Sequence, residues 1–397
     1  MVTARRLLIL CGTVLATGGA IVGVRLHAAD VKLTDPTSVV MIVDRDGNDI
    51  AFMDIKTHKI VGRTFLGNNV NPHMVMMSPD GRYVVTGGTR ANKAFIIDAR
   101  TLELVKVIPV DIAPEHLAFS PDGRWYYQGN PQGDSISVID MVSLTKIKTI
   151  PGFVEPLNTT FSTDGSKAYV GNYGAHWVGV IDVRRHELLK KIQIAEVPGV
   201  AKLDPAKYLA DIKGINIAAP TNDGRYLYAA DTDLGVVGVI DTREDKVVKV
   251  IRVGKDPWRI YMSHDGNYAI TPNNGDQTIS IIDLRTDKVA ATLEAGENMT
   301  GVNFAGGKAW VISSTSGFVY IYDMKTLRPA GRLKIGTNIQ LETATTDAAD
   351  EKIYLADSTE NAVVIIDAKT QAVEKVMNVG LFPWGTHIMD SKDNYCH

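Results

Sequence analysis

A short apolar run ending in aspartate recurs along the chain, at A-F-M-D54, F-I-I-D98, S-V-I-D140, G-V-I-D182, G-V-I-D241, S-I-I-D283, Y-I-Y-D323 and V-I-I-D367. Successive steps are 44, 42, 42, 59, 42, 40 and 44 residues. A period of ~40–45 residues holding several short strands is the mark of a β-propeller, in which each blade is a small twisted sheet that buries its faces only against its neighbours. Such a repeat also explains how 397 residues fold without the usual two or three compact domains. The long step exceeds 42 by 17 residues, and the excess falls at about 196–213, which reads as an insertion loop between blades. Its Pro198, Gly199 and Pro205 break the period, so it is expected to lie over a mouth of the channel.

Each unit repeats one local grammar. Turns at S-P-D-G81, S-P-D-G123, S-T-D-G165, T-N-D-G224 and S-H-D-G266 join a first strand to a second, with Asp bonding its own backbone and Gly supplying positive φ. The strands are four to seven residues long and rich in Val, Ile and Tyr, as packing on both faces requires. Seven complete units begin near Pro72, Pro114, Pro156, Gly214, Pro257, Met299 and Leu341, while residues 38–66 supply only three strands of another. P383-W-G-T-H-I-M389 matches the opening strand of a unit, so the C-terminus is expected to complete that blade. The fold class is therefore all-β, an eight-bladed propeller closed by its N- and C-terminal strands. Seven blades would follow if residues 38–66 formed an extra hairpin, but that leaves a bare sheet edge.

Residues 1–29 differ from the rest. Arg5 and Arg6 precede an uncharged run from Leu7 to Val24, followed by Ala28 and Ala29, the layout of a secretory signal or, uncleaved, of an anchor. The reading is a signal peptide at 1–29 and a single propeller domain over 30–397, exported to the periplasm, with no stable membrane insertion after cleavage. Cys11 falls in the signal and Cys396 stands next to the last residue, so the mature chain has no intrachain disulfide to lean on. No C-x-x-C-H occurs, which excludes covalent c-type haem by the usual two thioethers. A net charge of −3 gives no footprint for a polyanion, so no nucleic-acid partner is expected.

In a propeller the start of each first strand rims one mouth of the channel. The residues expected there are His73, Glu115–His116, Leu157–Asn158, Asn216, Trp258–Arg259, Met299–Thr300 and Trp384 to His387. His73, His116 and His387 are three of nine histidines in the chain. They suit metal or haem ligation, or proton handling with Glu115; the alternative is that each bonds a neighbouring blade. D44-R-D-G-N-D49 has the look of a calcium loop, yet Ile55 stands where a bidentate Glu belongs, so a hairpin turn is preferred. Trp125–Tyr126–Tyr127 reads as strand core, and Cys396–His397 as a terminus. No G-x-S-x-G, H-E-x-x-H or phosphate loop is present, and nothing specifies a nucleophile.

The repeats resemble bacterial YVTN-type propellers, and the eight-blade closure narrows this towards the haem d1 propeller of periplasmic nitrite reductase and its relatives in haem d1 biogenesis. Residues 44–98 carry the local likeness: D-R-D-G-N-D-I-A-F-M-D-I-K-T-H-K-I-V-G-R-T-F, then H73-M-V-M-M-S-P-D-G-R-Y83 and F-I-I-D98. In that family a histidine eight residues before the hairpin glycine ligates the iron, and His73 precedes Gly81 by that interval. The resemblance implies a haem d1-type tetrapyrrole, with His73 as the metal ligand, His116 and His387 beside it, and Arg259 suited to an anionic propionate or oxyanion. It implies partners among periplasmic redox subunits or haem proteins of nitrogen metabolism. No match exists for the distal histidines and no cytochrome c domain is present, so nitrite reduction is not transferred. The propeller subunit of hydrazine synthase, similar in kind, offers the other reading: a scaffold that holds redox subunits by its faces.

Overall fold

The computed structural model describes residues 33–194, 212–337 and 339–393. The expected signal at 1–29, most of the insertion and Cys396–His397 lie outside the described residues.

Every blade ends its third strand in the same turn, and five blades share a second turn between their first two strands. At the end of each third strand the recurring aspartate folds back on the turn that follows: Asp54 Oδ1 accepts from the Thr57 amide at 2.7 Å, Asp98 from Thr101 at 2.9 Å, and Asp367 from Thr370 at 2.7 Å. The fourth residue after the aspartate then takes positive φ, as at His58, Leu102, Leu144 and Gln371. These amides hold the carboxyls of Asp54, Asp140, Asp283, Asp323 and Asp367 below the usual range. In the other turn Ser78 Oγ donates to Asp80 Oδ1 at 2.6 Å and accepts from the Tyr83 amide at 2.9 Å, while Gly81 sits at φ 68.

The result is eight four-stranded antiparallel sheets, with no α-helix among the described residues. Among the described residues thirty-two strands run in chain order from β1 (Val39–Asp44), β2 (Asp49–Asp54) and β3 (Ile60–Phe65) to β32 (Pro383–His387). The innermost strands of blades two to eight are β4 (Pro72–Met77), β8 (Leu117–Phe119), β12 (Pro156–Phe161), β16 (Ile215–Pro220), β20 (Tyr261–Met262), β24 (Met299–Ala305) and β28 (Leu341–Thr346). The first blade has the order β3-β2-β1-β32, so the C-terminal strand completes the N-terminal sheet, with Met41 opposite His387 and Val43 opposite Gly385. Seven blades are excluded.

Burial on both faces of each strand shows the closure directly. Along β1, Val39, Met41 and Val43 pack with Met77, Val84 and Phe95 of the second blade. Val40 and Ile42, on the opposite face, pack with Tyr354 and Val363 of the eighth. Eight such clusters, one per blade junction, replace a single core. Tyr126 and Tyr127 are fully buried in two of them.

The D44-R-D-G-N-D49 segment is the turn between β1 and β2. Asp44 Oδ1 accepts from the amides of Gly47 at 3.0 Å and Leu381 at 2.5 Å, and Arg63 bridges Asp44 and Asp49 at 3.3 and 3.0 Å. Its carboxylates are thus spent on the closing junction. No helix among the described residues is long and apolar enough to cross a membrane.

Candidate functional site

The register of the first strands fixes which side chains share a level of the channel. The opening residue of a first strand lies opposite the last residue of the second in Pro72/Gly88, Pro156/Asn172, Ile215/Asp231, Met299/Ser313, Leu341/Asp357 and Pro383/Asp44. An isolated bridge does the same for Pro257 and Asn273. The residue that follows is therefore equivalent in every blade: His73, Leu157, Asn216, Trp258, Thr300, Glu342 and Trp384, with Glu115 at the same level because its amide donates to Gly129 O at 3.1 Å.

This ring forms the candidate site. His73 is half-buried; its ring centroid lies 5.1 Å from Trp384 and 6.4 Å from His116. Arg45, from the turn between β1 and β2, stacks over Trp384 at 4.2 Å. Arg259, on the sixth blade and so across the ring from His73, is 7 % exposed and lies over Trp258, which in turn meets Tyr173 edge-on. Two cations and desolvation act on the imidazole together: burial first, then Arg45 and Arg259, push the His73 pKa down to about 3. The ring is neutral at physiological pH, with a lone pair available. Burial raises Glu115 to about 7, with Glu155 adding to the rise and the two arginines opposing it, and burial also raises Glu342.

Several buried polar atoms at this mouth have no hydrogen-bond partner among the described residues. They are both amide atoms of Asn216, the indole nitrogen of Trp384 and Nε of Arg259. Buried polar groups are nearly always satisfied, so four orphaned atoms at one mouth can meet a polar ligand there. His73 can hold a metal; Arg45 and Arg259 can hold carboxylates.

His73, His116 and Arg259 are thus brought to one mouth. His387 is not. It ends β32, three residues or ~10 Å beyond Trp384, and lines the opposite mouth with Met76 and Met389. Arg45 and Glu342 complete the ring beyond the residues expected from sequence. Glu342 was legible as the residue after the Leu341 that opens its unit; Arg45 was not, because it belongs to a different class of turn.

Residues 13–116 match the family model of the cytochrome D1 heme domain. No curated protein matches the chain. Among solved structures, the dihydro-heme d1 dehydrogenase NirN in complex with DHE superposes with a TM-score of 0.73 at 19% identity, over 90% of this chain and 76% of that one. Hydrazine synthase of Kuenenia stuttgartiensis gives 0.57 at 22%, over 76% of this chain and 97% of that one. A functionally unknown protein from Desulfotomaculum acetoxidans gives 0.55 at 12%, over 91% and 99%. The ring, its His73 level and the match over residues 13–116 together make this chain an eight-bladed propeller similar to the cytochrome d1 haem-domain proteins.

Proposed function

We propose that the chain is an exported, periplasmic d1-like propeller that binds a haem d1-type tetrapyrrole at the His73 mouth and serves a respiratory or haem d1 maturation system of nitrogen metabolism. The observation that carries this reading is a neutral, half-buried imidazole in the field of two arginines at a mouth with orphaned polar atoms. A neutral imidazole is the form that ligates iron, and bound iron would supply the redox chemistry. His73 would hold the metal, and Arg45 and Arg259 would face the carboxylates. Trp384 walls the side of the channel next to His73. His116, buried beside His73, stands where it would position a proton or anion on the exposed side. The likeness to NirN and the family match over residues 13–116 support a tetrapyrrole ligand; the likeness to hydrazine synthase supports assembly with redox subunits or haem proteins.

Optical titration of purified protein with haem d1, and with haem as a second probe, tests the proposal. Wild type is expected to give a Soret shift that saturates at one equivalent, and His73→Ala to lose it while keeping its fold. Identical spectra for the two proteins would leave the chain as a scaffold that holds its partners by its faces.

A further inference from the structure

The mouth opposite His73 opens into a cavity of about 870 Å³, within the size range of small-molecule sites. Met76, Met262, Met389, Phe119 and Phe161 are among the residues that line it. Thioethers and aromatic rings are polarizable and pack well against a flat π-system. Asn158 also lines the cavity and is 4 % exposed. Its Oδ1 accepts from Thr160 Oγ1 at 3.1 Å, so its Nδ2 is the donor left for a ligand. An amide nitrogen in a cavity wall can donate to an acceptor oxygen on whatever fills the space.

The rim selects for charge. The turn aspartates Asp122, Asp164, Asp223 and Asp265 stand around this mouth, and their hydrogen bonds to the neighbouring hydroxyls and amides keep them ionised. They repel an anion. The last wall is the segment after β32, including Met389 and Lys392. It is pinned across the channel by Asp393, which accepts from Asn303 Nδ2 at 2.8 Å and the Thr346 amide at 2.9 Å.

We infer that this cavity is a second ligand site, opening at the mouth opposite His73, for a flat aromatic molecule without negative charge whose phenolic hydroxyl or quinone oxygen accepts from Asn158. The walls contact its faces, and Asn158 fixes its polar edge towards the fourth blade.

Fluorescence titration with 1-hydroxypyrene, and with pyrene as the probe lacking the hydroxyl, tests the inference on the whole chain. Saturable binding of 1-hydroxypyrene to wild type is expected. Ala118→Phe and Met76→Phe, which narrow the cavity from two blades, should each weaken it tenfold or more; both are made in case one does not fold. Asn158→Leu should weaken 1-hydroxypyrene about fivefold and leave pyrene unchanged. His73→Ala should bind as wild type does. No saturable binding to wild type, full binding by both narrowed variants, or loss of binding in His73→Ala would overturn the site; equal binding by Asn158→Leu would overturn the role of Asn158.

Discussion

His264, in the hairpin turn of the sixth blade, contacts Asp393 near the C-terminus through Nε2 at 2.9 Å and Asp350 of the eighth blade through Nδ1 at 3.0 Å. Asp393 is 2 % exposed. A residue beyond the last strand thus ties three blades together at the mouth that carries the cavity. A carboxylate near each nitrogen favours the protonated imidazole: the pairing overrides burial and the nearby Lys392 and raises its pKa.

Asp393→Ala is expected to cost about 3–5 kcal/mol, the usual loss when one member of a buried pair is removed and its partners are left unmet. Urea denaturation measures it. A loss under 1 kcal/mol would mean the C-terminal segment is not held as described.

The same pair sets a pH dependence. A histidine whose folded pKa is raised adds stability that is fully present below about 6.5 and is lost as pH rises through the folded value. Melting temperatures between pH 6 and 9 should therefore fall more steeply for wild type than for His264→Gln. Parallel curves would refute the assignment.

His73 has the opposite sign. Its folded pKa near 3 lies below the ordinary 6.5, so its contribution is present above 6.5 and is lost as pH falls towards 3. His73→Leu, compared with wild type by thermal melting at pH 7 and pH 4, should lose less stability on acidification. An equal loss in both proteins would place the imidazole in water.

Glu115 completes the ring's titration. A carboxyl raised to about 7 from 4.5 costs stability as pH climbs between those values. Glu115→Gln is expected to match wild type at pH 4 and to exceed it by about 2 kcal/mol at pH 8, since one pKa unit is worth about 1.4 kcal/mol and the group is only half-buried. Guanidinium unfolding at the two pH values decides it.

The eight blades were legible because their signals are local: an aspartate that caps its own turn, a glycine at positive φ, and a strand of β-branched residues. The closing strand was legible from one proline and its neighbours. Within the site, His73, His116 and Arg259 follow from repeat register alone. His387 does not: it shares the short segment P383-W-G-T-H387 with Trp384, yet a strand carries its two ends to opposite mouths. Arg45 reaches the ring from the second-to-third strand turn of the first blade, a contact made only when β1 and β32 meet. No periodicity reports a side chain that arrives from another class of loop.

Because β1 has to wait for β32, the first sheet of the chain is also the last to be finished. A ribosome that has released blades two to eight still holds an open ring, with Val40 and Ile42 lacking the Tyr354 and Val363 they pack against. Folding of this molecule is consequently governed by its slowest, most distant pairing. The termini meet inside one sheet, so the order of blades along the gene is arbitrary: a chain begun at any hairpin turn, with residues 33 and 393 joined by a linker, describes the same closed ring.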